Sequence, residues 1–435
     1  MHRDDRARLS LLSLILLNLV LCSTAFAEDD RRGSKAHEDL RPFANASRLI
    51  AEGRDAFRFD TFGDEAFWGG RLRLHEALAE VPPSTALAVG LKLDVQSLPR
   101  GLRRGLKRGL IDLDDPAVTA ALLELNAVVG VTGFFEGEDL VSVGVQCALC
   151  HSTVDDSFAP GIGRRLDGWA NRDLDVGTII SLAPDLSAFG GPLGVSDDDV
   201  RAVVRSWGPG KFDASLLLDG KAFREDGKPG AVLIPPAFGL AGVNLHTWTG
   251  WGSVSHWNAL VANLEMGGQG TFIDKRLDDA ERFPIAAREG ASETRPEVDR
   301  VSPKLAALQL YQLALDAPKP PRHSFDRRAA KRGKALFSGQ ANCASCHVAP
   351  LFTEPGHNLH TPEEIGIDSF QADRSPTGAY RTSPLRGLWT HEKGGYYHDG
   401  RFATLLEVVE HYNDFFALDL NPEQQSDVVE YLKSL

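Results

Sequence analysis

The stretch Asn342-Cys343-Ala344-Ser345-Cys346-His347 decides how this chain is read, and Cys147-Ala148-Leu149-Cys150-His151 repeats its pattern. C-x-x-C-H is the attachment pattern of c-type haem. Two thiols one helical turn apart can add to the two vinyl groups of one porphyrin. The adjoining histidine then reaches the iron as proximal ligand. The chain has five cysteines, and the fifth, Cys22, falls in an N-terminal segment of a different kind. None is therefore left over for a disulfide. A four-cysteine zinc site would leave both histidines unexplained. Paired redox cysteines would need a βαβ setting that the surrounding pattern lacks. The expectation is two covalently bound c-type haems (iron), attached through Cys147, Cys150, Cys343 and Cys346, with His151 and His347 on the metal.

Around the second motif the sequence outlines a small cytochrome c. Residues 326–337 form an amphipathic helix leading into it. Residues 422–434 form a closing helix, with Asn421 as N-cap, Pro422 at the first helical position and Gln424 completing a capping box. Gly333 and Phe337 of the first are placed to meet Tyr431 and Leu432 of the last. Between them lies a helix over 405–414, capped by Thr404 with Glu407 three residues on. A Pro-rich stretch, Asp316-Ala317-Pro318-Lys319-Pro320-Pro321, reads as a semi-rigid linker in front of this unit. The expected fold is mainly α, with two cytochrome c-like haem domains over 28–320 and 321–435, the first enlarged by an N-terminal helical segment.

That segment begins with apolar and aromatic residues at roughly helical spacing between Arg54 and Leu78. Further helical stretches are expected over 80–140, such as 115–128, where Asp114 or Asp115 can cap and Pro116 suits the first turn. A weak internal repeat ties the halves together. Pro236-Ala237-Phe238-Gly239-Leu240, then Trp251, then a helix around 257–264, parallels Pro384-Leu385-Arg386-Gly387-Leu388, then Tyr397, then 405–414.

The chain has 435 residues and a formal charge of −13. An acidic balance argues against nucleic acid as partner, since phosphate binding needs a positive surface. It suits a small basic redox donor instead. Residues 1–27 read as a secretory signal: Arg3, Arg6 and Arg8, an apolar run from Leu11 to Leu21, and an A-x-A site at Ala25-Phe26-Ala27. That run falls short of a membrane span, so a periplasmic location with no stable membrane span is expected.

What fills the open position on each iron separates electron carriage from chemistry. Met266 is the one methionine besides Met1. It precedes Gly267-Gly268 and is the candidate sixth ligand of the first haem, with His256 and His246 competing. In 405–414, Leu405, Val408, Val409 and Tyr412 form one apolar stripe. Tyr412 is therefore the candidate nearest the second iron, with His411 or an open site as alternatives.

Tyr380-Arg381-Thr382-Ser383-Pro384-Leu385-Arg386-Gly387, with Tyr397-His398-Asp399-Gly400 and Thr404 to Val409, resembles the C-terminal domain of bacterial di-haem cytochrome c peroxidases. It is similar too to the related di-haem enzymes of methylamine utilisation, which oxidise tryptophan on a partner protein. The resemblance covers 326–435. In the peroxidases a methionine after the H-D-G motif binds the C-terminal haem, and the equivalent position here is Tyr412. The resemblance implies an oxidoreductase taking electrons at one haem and reacting with peroxide at the other. The missing thioether points to the His347 haem as the reactive one. His398, Arg386 and Glu407 are the candidate acid, base or propionate partners, and Trp389 and Trp251 the candidate relay aromatics. Calcium between the domains is a further implication, although no ligand cluster stands out. The alternatives are a non-catalytic electron-transfer cytochrome, or an oxidase of an organic or protein substrate.

Overall fold

The computed structural model describes residues 40–435. The export-signal reading, Cys22 included, lies outside the described residues. The chain divides into two compact units, residues 1–51 and 52–435. Of the first, residues 40–51 are helical. All that follows concerns the second.

This unit is mainly helical, and its strands form only two-stranded ladders. The helical spacing between Arg54 and Leu78 resolves into residues 52–59, a π-helical turn at Ala66–Arg71 and a short helix at Leu74–Ala79. Phe57, Phe62, Trp68, Leu72, Leu74 and Leu78 all bury there, whereas Phe59 is exposed. Helix α1 is Pro116–Glu124, shorter than its apolar pattern, with the Asp115 side chain accepting the Ala117 N–H as N-cap.

The expectation of helix up to residue 140 fails at residues 131–145. Val131–Glu136 (β1) and Asp139–Val145 (β2) form an antiparallel hairpin in the register Val131↔Val145 to Glu136↔Asp139, irregular at Phe134/Phe135. β-branched and aromatic residues dominate both arms and prefer strands. Gly137, at φ +67°, supplies the left-handed residue of the turn.

Helix α2, Val254–Leu260, is capped by Ser253 and runs on as a π-helical turn, Val261–Glu265. Helices α3 (Arg327–Ser338), α4 (Leu405–Phe415) and α5 (Pro422–Lys433) carry the second motif's region. The Thr404/Glu407 and Asn421/Gln424 capping boxes are both formed. A Cβ at Gly333 would collide with the Asp427 carbonyl, so the glycine is what lets α3 and α5 cross. Phe337 packs edge to face on Tyr431 at 5.2 Å between ring centroids. Phe337, Leu405, Val409, Val428 and Leu432 belong to one apolar core that draws only on this region. A second core gathers Leu218, Trp251, Leu260, Phe272 and Phe283, and a third gathers Leu93, Leu98, Leu122 and Ile162.

The Pro-rich stretch is not a free tether. Ala317 is buried, the Pro318 carbonyl accepts the Trp389 indole N–H at 3.1 Å, and Asp316 pairs with Arg386.

Candidate haem centres

Each C-x-x-C-H opens on a tight turn. Cys147 precedes the single-turn helix Ala148–His151, and Cys343–Ser345 is a 3-10 turn. All four thiols are unpaired and half-buried. His151 directs Nδ1 at the Pro235 carbonyl, 3.1 Å away. His347 directs Nδ1 at the Phe352 carbonyl, 3.0 Å away, and the Ser383 backbone also hydrogen-bonds the ring. A carbonyl on Nδ1 fixes the tautomer and leaves Nε2 for a metal. Burial keeps both rings neutral, pulling His151 down to about 4 and lowering His347. Paired free thiols and carbonyl-oriented neutral imidazoles are the donor set that a covalent haem requires.

The internal repeat is visible in these contacts. Pro235 and Ser383 each immediately precede the P-x-x-G-L segment. Its glycine is left-handed in both copies, Gly239 at φ +65° and Gly387 at φ +77°. An antiparallel bridge then closes a loop in each, His246 with Gly252 and Tyr396 with Phe402. The residue after the first bridge position is left-handed both times, Thr247 at φ +64° and Tyr397 at φ +66°. The counterpart of Tyr397 is thus Thr247 rather than Trp251. The sequence alignment slipped because it matched aromatic to aromatic, whereas the backbone repeats the turn.

The open face of the first motif brings in a residue that sequence reasoning missed. Glu265 ends the π-helical turn after α2 and lies close enough to Cys150 to disfavour its ionisation; burial and Glu265 together push that thiol up to about 12. The Glu265 Oε1 is buried without a hydrogen-bond partner. Burial, then Asp213, pushes the carboxyl up to about 8, so it keeps its proton at neutral pH. The available signal was a single acid in the otherwise acid-free stretch Val261 to Gly270. Its neighbour Met266 is buried, and its carbonyl accepts the Trp68 indole N–H at 2.8 Å. Each of the competing histidines keeps one ring nitrogen buried without a hydrogen-bond partner, Nδ1 of His246 and Nε2 of His256. His246 Nε2 meets the Val243 carbonyl at 3.0 Å, and His256 Nε2 lies 3.6 Å from Asp274.

At the second motif, Tyr412 of α4 lies near Cys343 and Cys346; burial raises its phenol, against a lowering interaction with the Tyr397 hydroxyl, and the two thiols add a smaller upward push. His411 points elsewhere, with Nε2 3.2 Å from the Ile365 carbonyl and its ring stacked on Phe415. The inward stripe read from the sequence therefore selects the tyrosine that reaches the motif.

The three candidate catalytic side chains are not brought together there. The Glu407 carboxylate accepts the Thr404 N–H at 3.0 Å in its capping box. Arg386 pairs with Asp316. His398 is buried and stacked on Tyr380 at 5.1 Å, its Nε2 3.9 Å from Asp368. Asp368 and Asp399 are both paired with Arg401, and Asp399 also with Arg224. That cluster could suggest a metal, but its carboxylates are already neutralised, and calcium wants six or more oxygens. Trp251 donates to Asp274 at 3.1 Å and stacks on Phe283, a packing role. Trp389 instead meets Trp169 edge to face at 5.2 Å.

No protein-family model matches the chain. It is 28% identical over 241 residues to the methylamine utilization protein MauG of Methylorubrum extorquens, covering 46% of this chain and 63% of that protein. It is also 28% identical over 193 residues to the cytochrome-c peroxidase IdrP1 of Denitromonas iodatirespirans, covering 31% and 50%. Over part of its length, this chain resembles the di-haem cytochrome c peroxidase superfamily. The chain spans between half and two-thirds of the length of these two relatives of the superfamily. A solved MauG-like protein associated with microbial copper homeostasis aligns at 19% identity over 49% of this chain and 76% of that chain, with a TM-score of 0.32. Among the described residues, no helix is long and apolar enough to cross a membrane.

Proposed function

We propose that the chain is an exported, periplasmic di-haem c-type cytochrome acting as a peroxidase-type oxidoreductase, with regions 28–320 and 321–435 each carrying one haem. What carries this reading is the matched setting of His151 and His347, together with the unpartnered Glu265 carboxyl beside Cys150 of the first motif. When bound, the haems supply the iron that exchanges electrons with a small redox donor and with peroxide. The chain's own part is to attach them through four thioethers, to orient both histidines through backbone carbonyls, and to hold a proton.

Glu265 is the group suited to that last task. A carboxyl that keeps its proton near neutral pH can give it to a departing oxygen, and the carboxylate this leaves can take the proton of the next incoming hydroperoxide. This moves the expected chemistry from the His347 haem to the His151 haem. Tyr412 is then the ligand or neighbour of the second iron, and the second haem the point of electron entry. Met266, Glu265's neighbour, is the residue on which the rival reading turns. If its sulfur holds the first iron, the protein is an electron-transfer cytochrome without chemistry of its own.

Absorption and EPR spectra of the holoprotein, followed by peroxide with a reduced donor, decide between these. The proposal expects a high-spin component and peroxide turnover. Two low-spin haems, a thioether charge-transfer band abolished by Met266→Ala and no turnover would establish the rival. Oxidation of an organic or protein substrate after peroxide addition would place the chain nearer the methylamine-utilisation relatives.

A further inference from the structure

The loop closing on the first motif carries a buried cation with no counter-charge. The Asn171 N–H bonds the Cys150 carbonyl at 2.9 Å, which fixes the next residue, Arg172, against the core. Arg172 is 6% exposed, and its Nε and Nη1 are buried without a hydrogen-bond partner. Its nearest acid by sequence, Asp173, is taken by Lys92 at 2.6 Å and by Lys393. The favourable charge interaction on Arg172 is with the Tyr396 phenol, which burial pushes up to about 12 and so keeps neutral, while nearby Lys211 is a like charge. A guanidinium left unpaired in the interior is among the costlier arrangements a fold can hold.

The opposite wall comes from the second haem region. His391 Nε2 is also buried without a partner, and burial and the Arg172 charge together hold its ring neutral. Gly394, left-handed at φ +86°, lies beside this guanidinium, its Cβ position 3.7 Å from Arg172 Nη1. Trp169 and Trp389, from the same two loops, meet alongside. Two polar side chains from different loops thus leave orphaned nitrogens within electrostatic reach of each other, and the charge missing between them is negative.

We infer that loops 168–172 and 387–396 form a carboxylate-binding site centred on Arg172, and that its occupant is a propionate of a haem carried by this chain. A guanidinium fork matches a carboxylate in shape and charge. The inference rests on the di-haem reading above, and a free small carboxylate would satisfy the same chemistry.

The test uses the holoprotein, with covalent haem content per chain measured by intact mass in wild type, Arg172→Gln and Arg172→Lys. The proposal expects two haems in all three. In Arg172→Gln one of the two midpoint potentials falls, because loss of a nearby cation favours the ferric form, and the other stays. Arg172→Lys restores most of the difference. Acetate leaves the wild-type melting temperature unchanged. Should Arg172→Gln not fold, the reduced-minus-oxidised infrared spectrum of Arg172→Lys against wild type gives the same answer through a displaced carboxylate band. Stabilisation of wild type, but not of a variant, by acetate with both potentials unmoved would replace the propionate by a free carboxylate and overturn the assignment. Unmoved potentials and bands with no acetate effect would overturn the site itself. Fewer than two haems on the wild-type chain would instead count against the di-haem reading, and the acetate arm would still decide the site.

Discussion

Trp169 and Trp389 meet edge to face with ring centroids 5.2 Å apart. The contact links the regions around the two C-x-x-C-H motifs directly. Trp169 follows Gly168, whose N–H bonds the His151 carbonyl at 2.8 Å, and Trp389 is fixed by the Pro318 carbonyl. Neighbouring indoles at this separation offer a route for electrons between the regions. Trp389→Phe keeps the apolar contact but removes the indole. Electron exchange between the haems, followed by flash or pulse reduction, should slow several-fold while both absorption spectra stay as they are. The lost indole N–H bond to the Pro318 carbonyl should cost about 1 kcal/mol in a denaturant melt. An unchanged exchange rate would take the pair out of the path.

Glu265→Gln preserves size and removes the transferable proton. If Glu265 is the acid–base group, peroxide turnover should fall roughly a hundredfold to ten-thousandfold. Reduction of the oxidised second haem by the donor, followed in a single mixing without peroxide, should keep its former rate. Glu265→Asp should recover part of the activity. Wild-type turnover in the Gln variant would return the chemistry to the His347 side, where the missing methionine first placed it.

Much of the second region was legible in the sequence because its signals are local. Capping boxes at Thr404 and Asn421, a helical stripe ending in Tyr412 and a glycine at the α3–α5 crossing depend on residues a few positions apart or on a single steric demand. The haem motifs were legible for the same reason, since the chemistry needs two thiols and an imidazole within one turn. The hairpin at 131–145 was missed because its alternation is weak and its neighbours are helical. Glu265 was passed over because adjacent Met266 looked like the better ligand. How close Glu265 comes to Cys150 depends on the π-helical turn that ends at it, and a sequence does not show where a helix widens by one residue.

The same limit hid Arg374. This residue is fully buried, donating to Asp219 through Nε at 2.7 Å and through Nη2 at 3.0 Å, and pairing with Asp213 at 2.9 Å. Its partners come from more than 150 residues earlier in the chain, so no local pattern announces it. Removing one side of a buried ion pair leaves charge stranded and typically costs about 3–5 kcal/mol. Arg374→Met should therefore lower the melting temperature sharply. Arg374→Met with Asp213→Asn and Asp219→Asn together should recover part of the loss. A single substitution with no effect on melting would mean that water reaches the cluster.

The buried acids also set a direction for stability against pH. Burial pushes Glu265 up to about 8 and Asp64 up to about 9, from ordinary values of 4.5 and 3.8. A group whose pKa is higher in the fold than in the unfolded chain stabilises fully below its unfolded pKa. That stability is lost as pH rises through the folded value. The buried histidines act oppositely, since His151, His246 and His398 are each held near 4 and must be charged on unfolding in acid. Their contribution grows as pH rises to about 6.5 and is then complete. The two effects oppose each other in mild acid, but only the carboxyls act above neutrality. Melting temperature should accordingly decline between pH 7 and pH 9. Glu265→Gln should flatten the lower part of that decline and Asp64→Asn the upper part. A wild-type melting temperature constant across this window would show that both carboxyls are ionised in the fold, and Glu265 would then have no proton to give.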